Sequence, residues 1–366
     1  MISSKGLRRG ESAALYYRFK KSAVSFNPGN ILVIDFGQLG DVVLSLPALR
    51  AIRERFPRAR ITVAVGSPGA PIVELSGYAD TTLVVDRVAL RDGPKPLSIL
   101  RIARIVQEVR RAQFDFVIDL HSLYETNLLG FLSGATKRLY ARRPNRSLDF
   151  LANFDPRPPV EDTRPSRHAV DRYLDVLTPL GIKDAERVPR LRTRPEDDAE
   201  VERMLIKEKA DMGAPLVGMF PGAGHPARRW PLARFAELAE QLIRNDEVRI
   251  ALFAGPEERA FVKEMRATFP RTTLIFDRLT IRQLASALAR LSVFVSNDTG
   301  PMHIATAVGT SVVALLDRPT PHAFIPIEAR HRVIYSNRIA EMTTDEVYGA
   351  TRELLATGRT ASLFAG

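Results

Sequence analysis

V-S-N-D-T-G-P-M-H-I, Val295 to Ile304, is the stretch that decides the architecture of this chain. Its apolar lead-in, Val293-Phe294-Val295, reads as a buried strand, and Asp298 to Pro301 read as the entry into a helix. Asp298 and Thr299 are capping residues, Gly300 lets a ligand approach the backbone, and Pro301 fits the first helical turn, where a missing N–H matters least. A strand running straight into a helix N-terminus leaves free N–H groups and the positive end of the helix dipole at one point, an arrangement that suits a phosphate. The same ingredients also make an ordinary tight turn in any α/β protein, so the junction needs support from elsewhere in the chain.

Working outward, the strand-then-helix pattern repeats on both sides. Ile31–Phe36, Ile61–Val65, Thr82–Val85, Phe116–Asp119 and Arg138–Ala141 are short apolar runs separated by helical stretches such as Pro47–Arg55 and Ile99–Arg111. A second set, Leu216–Phe220, Arg249–Phe253, Thr273–Phe276, Val293–Ser296, Ser311–Leu316 and Arg332–Tyr335, comes after a segment rich in Pro, Arg and Asp. This alternation predicts parallel, doubly wound sheets. Its helices are marked by Pro231 before an apolar face at Phe235, Leu238, Ala239 and Leu242, and by the capping box Thr280–Gln283. We expect a basic extension over residues 1–28, one Rossmann-like domain over 29–185 and another over 186–339. The last helix, from about 340 to 366, is expected to pack back on the first domain.

At 366 residues with 45% hydrophobic content, the chain can build two cores. No window approaches the ~20 apolar residues of a membrane span, and the N-terminus lacks a secretory apolar segment, so a cytoplasmic protein is expected. With no Cys and six His lacking paired-ligand spacing, disulfides, thiolate metal sites and thiol nucleophiles are excluded, and no metal is expected. The net charge of +11, carried by 53 basic residues against 42 acidic ones, points to anionic partners. Within residues 1–28, Lys5, Arg8, Arg9, Arg18, Lys20 and Lys21 alternate with Leu15, Tyr16, Tyr17 and Phe19, a composition suited to an anionic membrane face and equally to a solvated tail.

In open parallel sheets, ligands collect beyond the carboxyl ends of the strands. Three further loops in such positions are unusual. Phe36 to Asp41, F-G-Q-L-G-D, turns on Gly37 and Gly40; Pro47 suggests that the regular helix begins only near Ser45, which leaves Asp41 on a loop facing the cleft. Asp41 serves equally as a helix N-terminal carboxylate. Phe220 to Pro231, F-P-G-A-G-H-P-A-R-R-W-P, combines Gly222, Arg228, Arg229 and Trp230, the only Trp. Arg228 can clamp a phosphate without a metal, while Trp230 is expected to pack and His225 to lie at the surface. Ala254 to Glu258, A-G-P-E-E, offers Glu257 either to ribose hydroxyls or to a helix cap. Neither a G-x-G-x-x-G fingerprint nor G-K-[S/T] is present, which argues against dehydrogenases and P-loop ATPases, and Asp35-Phe36-Gly37 has no kinase context.

Together these four loops resemble glycosyltransferase family 9, the lipopolysaccharide heptosyltransferase family. The resemblance runs from Ile31 to about Pro326 and is carried by I-L-V-I-D-F-G-Q-L-G-D-V-V-L-S-L-P-A-L-R, P-G-A-G-H-P-A-R-R-W-P, A-G-P-E-E-R and S-N-D-T-G-P-M-H-I-A. It implies a GT-B fold, in which two Rossmann-like domains face a cleft, the second binding the donor and the first the acceptor. It also implies an inverting, metal-independent enzyme that moves a sugar, often heptose from ADP-heptose, to a lipid-linked glycan acceptor. By position, Asp41 matches the general base, Asp298, Thr299, Gly300 and His303 the donor-phosphate loop, and Glu257 the ribose carboxylate; Gly37, Gly40, Gly222 and Pro301 fall within the same donor-side motifs. Two departures stand out: Arg228 where the family usually has Lys, and Asp317-Arg318-Pro319 where relatives tend to show Gly-Pro-Thr. The alternatives are a sugar-nucleotide epimerase of similar fold, or a non-catalytic binder of nucleotide sugars or nucleic acid. The nucleic-acid reading is disfavoured because no basic surface interleaved with aromatics is evident.

Overall fold

The computed structural model describes residues 26–92, 94–208, 213–317 and 322–363. The basic segment is outside this set up to residue 25, as are Arg318 and Pro319. The first half comprises β1 (Asn30–Asp35), α1 (Leu39–Arg55), β2 (Arg60–Gly66), α2 (Ala70–Ser76), β3 (Thr81–Val85), α3 (Arg87–Asp92), α4 (Lys95–Arg111), β4 (Phe116–Asp119), α5 (Tyr124–Leu132), β5 (Lys137–Tyr140) and α6 (Ala169–Asp175). The second comprises α7 (Pro195–Lys207), β6 (Leu216–Phe220), α8 (Leu232–Asp246), β7 (Arg249–Phe253), α9 (Val262–Thr268), β8 (Leu274–Phe276), α10 (Ile281–Ala289), β9 (Val293–Asn297), α11 (Gly300–Ala307), β10 (Ser311–Asp317), β11 (Arg332–Ser336) and α12 (Thr344–Leu363).

The strands form two parallel sheets ordered β3-β2-β1-β4-β5 and β11-β10-β9-β6-β7-β8. This is the expected GT-B arrangement, and the strands agree with the alternating apolar runs of the sequence. Central strands such as Ile31–Ile34 and Val293–Val295 are buried because helices cover both faces, which is why they read as unbroken Val/Ile/Leu/Phe runs. In each sheet the chain reverses its direction of travel across the sheet once, between β1 and β4 and between β6 and β9. Those two switch points open crevices at the carboxyl ends of the strands.

Two expectations are corrected. Regular helix does not wait for Ser45: α1 begins at Leu39, where the Gln38 N–H donates to the Asp41 carboxylate at 3.0 Å, and Pro47 lies inside it. An interior proline costs about 3 kcal/mol, whereas each fully buried Val or Leu contributes roughly 1.5–3 kcal/mol. Val42, Val43, Leu46 and Leu49 are all buried as α1 is enclosed by its sheet, α6 and α11, so tertiary burial overrides the breaker. Secondly, α12 does not return to the first domain. It lies on α8, where Val347, Leu354 and Leu355 join Trp230, Phe235 and Leu238 in one apolar cluster. The Trp230 indole N–H donates to the Met342 carbonyl at 3.1 Å and fixes the approach to that helix.

Contacts of α1 with α11 join the halves directly, and α7 packs on α10. Leu191 N–H donates to the Ala307 carbonyl at 2.9 Å, His168 Nε2 lies 2.9 Å from the Ile325 carbonyl, and Arg172 lies over the Phe324 ring at 5.8 Å. Both switch-point crevices therefore face a common cleft with a defined separation.

Candidate active site

Asp41 sits in the first turn of α1, immediately past the β1 carboxyl end. Burial raises its pKa; the Gln38 N–H and the charges of His121 and Arg143 work against that rise, while Asp35 reinforces it. The result is a carboxylate more basic than an ordinary aspartate, as a proton acceptor requires. Gly37 N–H donates to the buried Asp35 carboxylate at 3.0 Å, which shapes the turn.

The second loop of this crevice, after β4, was not singled out from the sequence. Asp119 accepts N–H bonds from His121 at 3.1 Å and Ser122 at 2.7 Å, and the Asn127 side chain donates to its other oxygen at 2.8 Å. Burial nevertheless pushes Asp119 up to about 6. That network presents His121 beside Asp35, 3.6 Å away, and His121 and Asp41 line a common cavity of about 180 Å³. Its other charged lining residues are Arg142, Arg143, Arg172, Glu161 and Asp175, with Arg143 and Arg172 both paired to Glu161, at 3.0 and 3.7 Å. The signal available in the sequence was positional, since a loop at a switch point contributes to the crevice whatever its composition.

Across the cleft, α11 begins at Gly300 with Thr299 as its N-cap and Pro301 in its first turn. The Thr299 hydroxyl does not cap the helix; it lies 3.1 Å from Ser296 Oγ, so the first N–H groups are left open toward the cleft. Asp298 is mostly buried, and burial raises its pKa against the influence of Arg228, with Asp317 and Asp41 adding to the rise. His303 lies 3.9 Å from Asp298 and is held down to about 4 by burial, so its imidazole is neutral at pH 7.

Asn297, also not singled out from the sequence, ties this loop to the one after β6. Its side-chain oxygen accepts the Trp230 N–H at 3.1 Å, and its amide donates to the carbonyls of Pro221 at 3.0 Å and Gly222 at 3.1 Å. Arg228, exposed at the end of a short 3-10 turn, is thereby held where its charge reaches Asp298. Arg229 instead donates to the Ala223 carbonyl, His225 is exposed as expected, and Trp230 is buried. Glu257 is exposed, while its neighbour Glu258 is buried, accepts the Gly255 N–H at 3.0 Å and lies against Gly222, so Glu258 braces the loop and its side chain caps no helix.

The two crevices touch. A Cβ on Gly40 would come within 2.9 Å of His303 Cδ2, and one on Gly300 within 2.9 Å of Leu39 Cδ2. Glycine at both points lets the α1 and α11 N-termini meet, which brings Asp41 and the open end of α11 together. Among the described residues, no group of three or more His, Asp or Glu is placed to hold a metal ion, and no helix is long and apolar enough to cross a membrane.

Comparison with known proteins agrees with this architecture. Lipopolysaccharide heptosyltransferase 2 of Salmonella typhimurium is 28% identical over 314 residues, covering 83% of this chain and 87% of that protein. The Escherichia coli K12 protein of the same name is 27% identical, with the same coverage. Among solved structures, the family 9 glycosyl transferase of Veillonella parvula superposes with a TM-score of 0.80 at 23% identity, covering 91% of this chain and 99% of the other. The E. coli ADP-heptose lps heptosyltransferase II gives 0.75 at 21% identity, covering 90% and 99%. The family model for "Glycosyltransferase family 9 (heptosyltransferase)" matches residues 102–349, more than half of the sequence, and the chain belongs to that family.

Proposed function

We propose that this glycosyltransferase moves heptose from ADP-heptose to a lipopolysaccharide core acceptor, with inversion at the anomeric carbon and without a divalent cation. The observation that carries the reading is the meeting of Asp41 with the open N-terminus of α11 through the contact of Gly40 with His303. In one displacement, Asp41 takes the proton of the acceptor hydroxyl while the acceptor oxygen attacks the anomeric carbon. The bond from that carbon to the diphosphate oxygen breaks, and its electron pair leaves with the nucleotide. The α11 N–H groups and Arg228 stabilise the departing negative charge, the task a metal performs elsewhere. Neutral His303 adds no competing charge, and Glu257 is available to the ribose from its exposed turn.

The names of the relatives support the donor and the acceptor, and membership in family 9 favours transfer over the epimerase and binding-protein alternatives. Arg142, Arg143 and Arg172 around the cavity beside Asp41 suit an acceptor with anionic groups. The enzyme acts in the cytoplasm at an anionic membrane face, where its lipid-linked acceptor resides. The test is release of nucleoside diphosphate from a panel of sugar nucleotides in EDTA, with and without a truncated lipopolysaccharide. Acceptor-dependent ADP release from ADP-heptose, weakened by Arg228→Gln, is expected. Release that needs no acceptor, or turnover lost in EDTA and restored by a divalent cation, contradicts the reading.

A further inference from the structure

The first domain carries an apolar surface that the catalytic account does not use. Ile99 and Leu100 on α4 are 66% and 56% exposed, and Leu128 and Phe131 on α5 are 46% and 44% exposed. Single exposed aliphatic residues need no explanation, but a cluster of them on adjacent helices does. Between α4 and α5 runs a groove of about 750 Å³ whose walls include Ile102, Ile105, Val106, Leu128 and Leu132. Its lining also includes Phe36 and Gln38, in the turn that leads into Asp41, so the groove and the catalytic cleft share a wall.

Charge decides between occupants. Helix α4 carries Lys95, Arg101, Arg104, Arg110 and Arg111 against the single acid Glu108. A second copy of the chain on this face would set those cations against one another, whereas a surface of lipid phosphates would satisfy them. Exposed Leu97, Ile99, Leu100 and Ile102 interleaved with Lys95, Arg101 and Arg104 match a helix lying in a membrane interface.

We infer that α4, α5 and the groove between them form a docking face for an anionic lipid bilayer, which holds the Asp41 cleft at the membrane surface. This rests on the reading of the acceptor as lipid-linked. The experiment is co-sedimentation of the full chain with vesicles of phosphatidylcholine alone or mixed with phosphatidylglycerol, alongside activity on a vesicle-embedded acceptor and on its deacylated, water-soluble form. Binding only to the anionic vesicles is expected, with the double variant Ile99→Glu/Leu100→Glu weakening it about tenfold or more and Arg104→Glu weakening it less. Both positions are exposed, so the fold is retained, and activity on the deacylated acceptor stays at the wild-type level. Loss of activity on the embedded acceptor alone then separates docking from chemistry. Vesicle binding unchanged in the double variant overturns the proposal and leaves attachment to another segment. A wild-type dimer that the double variant dissociates, without change in vesicle binding, overturns it in favour of contact between copies. If no sugar nucleotide turns over at all, the vesicle measurement still reads the docking face while the proposed transfer fails.

Discussion

Replacing Gly40 by Ala adds one methyl group at the contact between the two catalytic crevices, and the structure sets the size of the effect. The new Cβ would lie 2.9 Å from His303 Cδ2 and 3.5 Å from its Nε2. Carbon atoms pack at about 3.5–4.0 Å, so roughly 0.6–1 Å must be found by moving the ring or the helix. The ring has little room to move, because His303 is only 6% exposed. Overpacking of this kind costs about 1–3 kcal/mol. Asp41 is the next residue and the open N-terminus of α11 lies on the other side, so the displacement changes the separation of the proposed base from the proposed phosphate site. A misplacement near 1 Å lowers turnover by up to about 10²-fold. We expect a lower thermal midpoint and a fall in kcat larger than any rise in donor KM. Gly349→Ala is the control: the same methyl group on the exposed side of α12 meets nothing within 4 Å, and helix propensity alone should stabilise the chain by about 0.5–1 kcal/mol. A Gly40→Ala enzyme with wild-type midpoint and kcat would refute the argument that α1 and α11 meet there.

Acid should destabilise the fold before its ordinary carboxylates titrate. His303 and His331 are both held down to about 4 by burial, from an unfolded value near 6.5. Their contribution to stability is complete above pH 6.5 and is lost as pH falls toward 4. Asp119, raised to about 6, acts in the opposite sense, its contribution being complete below about 3.8 and lost as pH rises through 6. For these three groups the balance is a net loss of about 3 kcal/mol between pH 7 and 4, visible as a falling thermal midpoint, and His331→Asn should flatten the slope; a flat profile in the wild type contradicts it. Trp230→Phe keeps the apolar contact with Phe235 but leaves the Met342 carbonyl without its donor. A loss of about 1–3 kcal/mol in denaturant unfolding, at unchanged m, is expected, and no loss would show that this bond does not anchor α12.

The part of the fold legible in the sequence came from the period of its apolar residues. Both sheets announced themselves because their central strands are buried on both faces and their loops carry Gly, Pro and charged residues at the carboxyl ends. The readings that failed concern tertiary context. Pro47 is a local helix breaker, and only the enclosure of α1 on several sides makes it tolerable. The sequence marks α12 as a last helix, while its partner, the Trp230 and Phe235 cluster, depends on how the chain returns. The residues that sequence reasoning passed over, Asp35, Asp119, His121 and Asn297, act through hydrogen bonds to segments distant in the chain or to bland turns. Nothing in the composition of L-H-S after β4 distinguishes it; its place at the switch point does.

The central claim is that Asp41 is the base that accepts the acceptor proton. Asp41→Asn tests it most directly, because the amide oxygen can still take the Gln38 N–H and the side chain keeps its size, so fold and donor binding should persist. Measured in EDTA with ADP-heptose and a truncated lipopolysaccharide, the variant should keep its donor affinity and thermal midpoint and lose kcat by about 10²–10⁴-fold. In the wild type, kcat should rise with pH through a value above that of an ordinary aspartate, in keeping with the burial of Asp41, and the variant should lose that step. Wild-type turnover by a folded Asp41→Asn protein would contradict the account.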